Sequence, residues 1–289
     1  MAFPTDTISA TNLAVLIPEV WGGEAINEFY RSKLVAAGHF WDVSDLASGG
    51  GDTINIPNIS EMTAHDKTNG AAVTLNATTE TSVALAINTW KEVSFMIEKK
   101  EAKQLLQSYA LQERYAKGAA FTVAKALDTA LLTLYAGLSQ SVGASDASLT
   151  DSVILSAIQT VLSADVPKDE LAFFFNSNQI YGDLLKIEKY VSFDYSDTKP
   201  VAGGGLASMS GKLYGIPVYE TNNLVTTDSG AVAHGLLAHK DAFVFATYGG
   251  VELDSNYIPD YLGTLTTADL IFGVKENRDA AAVHILSNN

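Results

Sequence analysis

Between residues 98 and 135, apolar side chains fall at Ala102, Leu105, Tyr109, Ala116, Ala120, Val123, Leu127, Leu131 and Leu134, at spacings of three and four with one gap. That is the period of a helix. Proline is absent, and the single internal glycine, Gly118, costs only about 1 kcal/mol against alanine. At about 1.5 Å per residue one helix here would run roughly 55 Å, beyond the roughly 30 Å span of a small domain. It is expected to be a spine with different things packed on its two ends. The polar first half, to about Lys117, should bury a narrow stripe. Residues 119–138, apolar around much of the circumference, should lie in the core.

Upstream of the spine the period changes. In residues 53–97, Ile54 and Ile56, Val73 and Leu75, Val83, Leu85 and Ile87, and Val93, Phe95 and Ile97 alternate with polar or smaller neighbours, the pattern of half-buried antiparallel strands. Large side chains are too few there for a separate core, so the segment reads as a two- or three-stranded projection leading into the spine. An isolated hairpin is marginal and needs another surface. Residues 1–45 read as an arm: Ile26, Phe29, Tyr30, Leu34 and Val35 share one face of a short amphipathic helix that has little of its own to pack against. The SGGGD run at 48–52 is a joint, since successive glycines hold no fixed backbone conformation.

Downstream, a helix is expected from about residue 149, capped by Thr150 or Asp151, with Ile154, Ala157, Ile158, Val161 and Leu162 inward. The continuous apolar run LAFFFN at 171–176 marks a strand covered on both faces. A third helix is expected over 178–188, with Ile180, Tyr181, Leu184, Leu185 and Ile187 inward, and then a long loop over 190–211. A strand with a built-in turn follows at 212–220, one short element at 235–247, and a strand-rich tail at 251–285. Residues 140–289 thus form a compact α+β body.

Composition narrows the chemistry. There are no cysteines, which removes disulfides, thiolate metal sites and thiol nucleophiles. No basic region followed by an apolar run opens the chain, so no secretory signal is expected. The longest apolar block, 129–138, falls short of the roughly 20 residues of a membrane span. The net charge of −15 is uneven: −7 over residues 1–97, +2 over 98–128 and −10 over 129–289. Such a charge repels nucleic acid and argues against a sequence reader, though not against a container wall that must not stick to its contents.

The order of these parts carries a resemblance, helped by three stretches. These are ALDTALL at 126–132, GKLYGIPVYE at 211–220 and FGVKENRDAAAVHI at 272–285. Together they resemble the major capsid protein of tailed bacteriophages, whose fold is shared with herpesvirus shells and encapsulin compartments. The resemblance covers essentially the whole chain. It implies an α+β fold with an N-terminal arm (1–50), an extended β-loop (51–97) and a spine helix in a peripheral domain (98–138). An axial domain (139–210) follows, and residues 211–289 complete both domains. It further implies pentamers and hexamers closing an icosahedral shell around double-stranded DNA that is touched only weakly and non-specifically. The β-loop would lie over one neighbour and the arm would wrap another. A separate scaffolding protein, a portal and a decoration protein would be its partners, with no membrane and no cofactor. The shell would be made in the host cytoplasm and end as a virion capsid. Candidate interface residues are Trp21, Phe29, Trp41, Lys67, Trp90, Lys99, Lys100 and Lys103. Some relatives cross-link a β-loop lysine, and Lys67 lies in that kind of loop, but no motif here supports the chemistry.

Other functions are weaker readings. An encapsulin-type cargo compartment would use the same fold. A two-domain hydrolase or binding module would need a convergent polar site. His234 and His239, five apart, fall on opposite faces of a strand, and His39, His65 and His284 are scattered. Asp42 with Asp45, and Asp165 with Asp169 and Glu170, suit helix caps and solvated loops better than paired catalytic acids. The glycines at 203–205 precede no Gly-Lys-Ser/Thr and suit a flexible loop.

Overall fold

The run at 171–175 becomes the middle of a sheet. The computed structural model describes residues 34–47, 50–58, 62–70, 72–76, 80–100, 102, 111–187, 211–227 and 230–288. Within these, β5 (Ser141–Gly143), β6 (Leu171–Phe175), β7 (Lys212–Leu213), β8 (Ile216–Glu220), β9 (Val232–His239) and β13 (Ala282–Asn288) form a six-stranded sheet in the order β5-β13-β9-β6-β8-β7. All five residues of β6 are buried, because β9 and β8 flank it and both faces are covered. Phe173 and Phe175 stack on one face at 5.3 Å, while Phe174 on the other meets Phe40 at 5.4 Å and Tyr219 at 5.5 Å. Phe174→Ala is expected to cost about 3–5 kcal/mol of stability, the usual penalty for emptying a fully buried aromatic site, measurable by denaturant unfolding. The turn between β7 and β8 has Tyr214 at φ 53° and Gly215 at φ 85°, the doubly left-handed pair that joins twisted strands in a two-residue hairpin.

A second, five-stranded sheet is built on β12 (Gly263–Glu276). On one side it pairs with β4 (Thr89–Glu98); on the other it pairs in succession with β11 (Glu252–Ile258) and β10 (Phe243–Thr247). β1 (Trp41–Asp42) runs parallel to β10 at the edge. The spine helix α2 (Leu111–Thr133), continued by a 3-10 turn at Leu134–Gly137, lies on β12 and β4. It buries Ala119, Val123, Leu127, Leu131, Leu132 and Tyr135. The buried face is narrower than its apolar composition suggested: Ala120, Phe121, Ala124 and Ala130 are only half-buried. Arg114–Gly137 is long and apolar enough to cross a membrane by length and composition, more than the ten-residue block read from sequence. One face of it packs on β4 and β12. The first part of the expected spine, residues 101 and 103–110, lies outside the described residues.

The helix α3 (Asp151–Ser163) starts after Thr150, as its sequence suggested, and packs on β13 and β5. Its Ile154, Ala157, Ile158 and Val161 are buried, but Leu162 is 39% exposed. Over 178–188 the expected α-helix is replaced by a π turn at Gln179–Asp183 and a 3-10 turn at Leu184–Lys186. The wider first turn buries Gln179, which donates to Ser287 Oγ at 2.8 Å, and leaves Tyr181 47% exposed. The single element read at 235–247 is two strands in different sheets, β9 and β10, separated by a short turn. Of the long loop read over 190–211, all but Gly211 lies outside the described residues, as does residue 188 at the end of the expected helix.

Candidate assembly surfaces

β2 (Thr53–Asn58) and β3 (Thr81–Ala86) pair antiparallel into a hairpin that joins neither large sheet. β4, read as its third strand, pairs instead with β12, because ten residues of β12 offer it a partner along its whole length. The base of the hairpin has a small core of its own: Ile54, Ile56, Leu85 and Ile87 are buried with Val244 and Ala246 of β10 and with Val43 and Ala47. β12 comes so close that an alanine Cβ at Gly273 would lie against the Ala86 carbonyl oxygen, 2.9 Å from the carbonyl carbon and 3.0 Å from Ile87 Cα.

Past Asn58 and Thr81 the strands end. Val73 and Leu75, read as strand residues, lie in irregular chain and are 68% and 86% exposed, with Met62 63% exposed. The described tip is held by its own polar groups: Asn76 Nδ2 donates to the Thr63 carbonyl at 2.8 Å, and its Oδ1 lies 2.9 Å from His65 Nε2. Lys67 sits here, exposed, donating to the Thr68 carbonyl at 3.1 Å. The tip thus presents apolar side chains that its own chain does not cover.

The arm was expected to lack contacts in its own body, and from residue 34 onward it has many. Ala36 and Phe40 enter the main core, Phe40 lying 4.9 Å from Phe243 between ring centroids. The grip comes from Asp128 on the spine, 1% exposed. Its Oδ1 accepts the Val35 N–H at 2.9 Å and the Ala36 N–H at 2.7 Å, and its Oδ2 accepts Asn223 Nδ2 at 2.7 Å. Burial raises the Asp128 carboxyl above the usual carboxylate range, and the hydrogen bonds it accepts offset part of that rise. His39, on the same turn, packs edge-on to Phe40 and Phe174, and burial lowers it to about 4. Asp42 accepts from Ser44 N at 2.8 Å and also from Ser44 Oγ, so it caps the short helix α1 (Ser44–Ala47) rather than serving as one of a pair of acids.

Of the eight candidate interface residues, Trp21, Phe29 and Lys103 lie outside the described residues. Trp41 is half-buried, starts β1 and packs beside the hairpin core with Val83, Tyr248 and Ile271. Trp90 on β4 is 69% exposed, its indole N–H donating to Asp269 on β12 at 2.8 Å. Lys99 and Lys100 are exposed at the first helical turn after β4, with the Lys99 N–H held by the Leu262 carbonyl at 2.8 Å. The structure does not gather these residues into one patch: Lys67 is on the hairpin tip, Trp41 at the arm root, and Trp90, Lys99 and Lys100 along β4 and its end.

Two constellations escaped the sequence reading. Asp128 and Asn223 are 95 positions apart. The one available signal was an acid on the helical face of Leu131 and Leu132. His234, weighed in the sequence only against His239, meets the scattered His284 across the neighbouring strands β9 and β13, with 2.9 Å between His234 Nδ1 and His284 Nε2. No signal in the sequence ties them, since strand neighbours follow from pairing and not from spacing. Among the described residues no group of three or more His, Cys, Asp or Glu side chains is placed to hold a metal ion.

A long helix lying on one sheet with its end against a second, and a hairpin that joins neither, define the class of fold: an α+β chain with the phage capsid fold. The solved structure from Mycobacterium phage Che8 is 21% identical, matching 93% of this chain and 96% of that one at a TM-score of 0.75. The capsid of Cyanophage P-SCSP1u is 13% identical over 96% of this chain and 94% of that one, also at 0.75. The mature capsid of bacteriophage PhiM1 is 15% identical over 94% and 92%, at 0.69. No family model matches the sequence, and no curated protein matches it.

Proposed function

We propose that this chain is a major capsid protein, assembling as pentamers and hexamers into an icosahedral shell that encloses double-stranded DNA. The observation that carries this reading is agreement with phage capsid chains over nearly the full length of both partners. The projecting hairpin supports it, because Met62, Val73 and Leu75 stay exposed in a single copy and are satisfied by burial on a second. The role is structural. The hairpin lies over one neighbour, the arm before residue 34 wraps another, and Trp90, Lys67, Lys99 and Lys100 lie at or near the contacts. Scaffolding and portal proteins are the partners expected of such a shell, which is assembled in the host cytoplasm. A net charge of −15 leaves packaged DNA free to slide along the wall, since counterion release is what holds DNA to fixed cations.

Negative-stain electron microscopy of the purified chain, with sedimentation alongside, tests this. Closed shells, tubes or rings are expected from the intact chain. Deleting residues 62–76, or residues 1–33, should leave a body with near-normal unfolding and no closed particles. Normal shells from both deletions would overturn the reading, and particles filled with protein in place of nucleic acid would favour a cargo compartment.

A further inference from the structure

The end of the spine rests on two histidines. Tyr135 stacks on both rings, its centroid 4.6 Å from that of His234 and 4.6 Å from that of His284, at interplanar angles of 20° and 28°. The imidazoles lie 5.0 Å apart between centroids, and His234 Nε2 is 2.9 Å from Thr227 Oγ1. His234 belongs to β9, His284 to β13, and Thr227 to the bridge that opens β9. One cluster therefore ties the spine, the adjacent strands β9 and β13 and the preceding loop.

We propose that His234, His284 and Tyr135 form a proton-operated lock between the spine and the six-stranded sheet, closed with no proton or one proton added to the pair and opened by the second. With both rings neutral, one ring nitrogen donates across the pair and the other accepts. The first added proton keeps that bond: His284 Nε2–H donates to His234 Nδ1, and His234 Nε2–H donates to Thr227 Oγ1. The face of Tyr135 stabilises the single cation. A second proton leaves two N–H groups pointing at each other and two cations in one partly buried site, so the rings must part.

The surroundings leave the pair to set its own titration. Tyr135 is the ionisable group facing it from the spine, and burial raises the Tyr135 hydroxyl, which stays protonated. On the adjoining strands Ala233, Gly235, Val283 and Ile285 carry no charge, and among the described residues neither β5 nor 224–227 does. Burial lowers both histidines, His284 to about 4 with His234 beside it as a second cause. A folded-state value below the unfolded one near 6.5 means that stability is complete above the unfolded value and is lost as the pH falls towards the folded one. The device belongs to a single chain and needs no neighbour.

Imidazole nitrogen NMR on the full chain labelled at histidine tests the lock, with amide hydrogen exchange followed from pH 7 to pH 3.5 and corrected for intrinsic rate. His234 and His284 should titrate together in two steps, both below 6.5. Protection in 134–138, 232–238 and 282–288 should fall tenfold or more at the second step. His284→Gln, which hydrogen-bonds without taking a proton, should move that fall at least one pH unit lower, whereas His39→Asn should leave it in place. Independent titrations near 6.5, or an unchanged fall in His284→Gln, would overturn the proposal. If His284→Gln fails to fold at neutral pH, the two-step titration of the unsubstituted chain decides alone.

Discussion

Gly273→Ala should abolish closed particles while the body of the chain still folds. The added methyl would enter the space of the Ala86 carbonyl, and the opposing atoms are backbone, which cannot rotate away. The base of the hairpin must lift, opening the small core of Ile54, Ile56, Leu85, Ile87 and Val244. Overpacking of this kind costs about 1–3 kcal/mol. The expected readouts are a lower unfolding midpoint, faster proteolysis within 53–87, and the absence of shells under the microscope. Gly118→Ala is the contrast. Nothing lies within 4 Å of its added methyl, and it should stabilise the spine by about 0.5–1 kcal/mol. Shells of normal yield from Gly273→Ala would show that the hairpin tolerates a displaced base and that its seat on β12 does not matter for closure.

Asp128→Ala should free the arm at its root. It leaves the N–H groups of Val35 and Ala36 and the amide of Asn223 without their acceptor in a buried site. Each such loss costs about 1–3 kcal/mol, so the sum is about 3 kcal/mol or more. Asp128→Asn keeps an acceptor oxygen for the backbone and should cost about 1 kcal/mol. The pH dependence has a definite sign. Because burial raises this carboxyl, the native chain holds its proton more tightly than the unfolded chain does. The stability it contributes is complete below the unfolded value of 3.8 and is lost as the pH rises through the folded value. Asp128→Asn should remove that component, seen as a flatter denaturation midpoint against pH above 3.8. An Asp128→Ala chain with unchanged midpoint and unchanged proteolysis at 34–47 would show that Phe40 and β1 hold the root unaided.

What was legible in the sequence followed from local rules. LAFFF announced a strand covered twice, the stretch at 212–220 announced a strand with a turn in it, and the α3 face followed from its period except at Leu162. What was missed depended on partners. β4 reads as one more alternating strand, and only the length of β12 takes it away from the hairpin. β9 and β10 are nearly contiguous in sequence and lie in different sheets, a division that three residues of turn make and no hydrophobic period records. The π turn at 179–183 hangs on a buried Gln179–Ser287 hydrogen bond between residues 108 positions apart. The hairpin was legible only at its base: Ile54, Ile56, Val83 and Leu85 fall on paired strands, whereas Val73 and Leu75 alternate like strand residues and lie in irregular chain. The arm was half legible: its poverty of local contacts is real in composition, but Asp128 and Phe174 supply partners that spacing does not reveal.

The direction of β1 has a mechanical consequence. Trp41 and Asp42 run parallel to Val244 and Phe245, with Asp128 holding the chain just before them and the Val43 N–H on the Phe245 carbonyl at 3.0 Å just after. Tension applied along the strand axis would be shared by this whole anchor. It loads those hydrogen bonds together in shear, where a hairpin tugged from its open end would unzip them one at a time. In the proposed shell, a load on the root of the arm would pass into the β10–β12 sheet before the anchor slips.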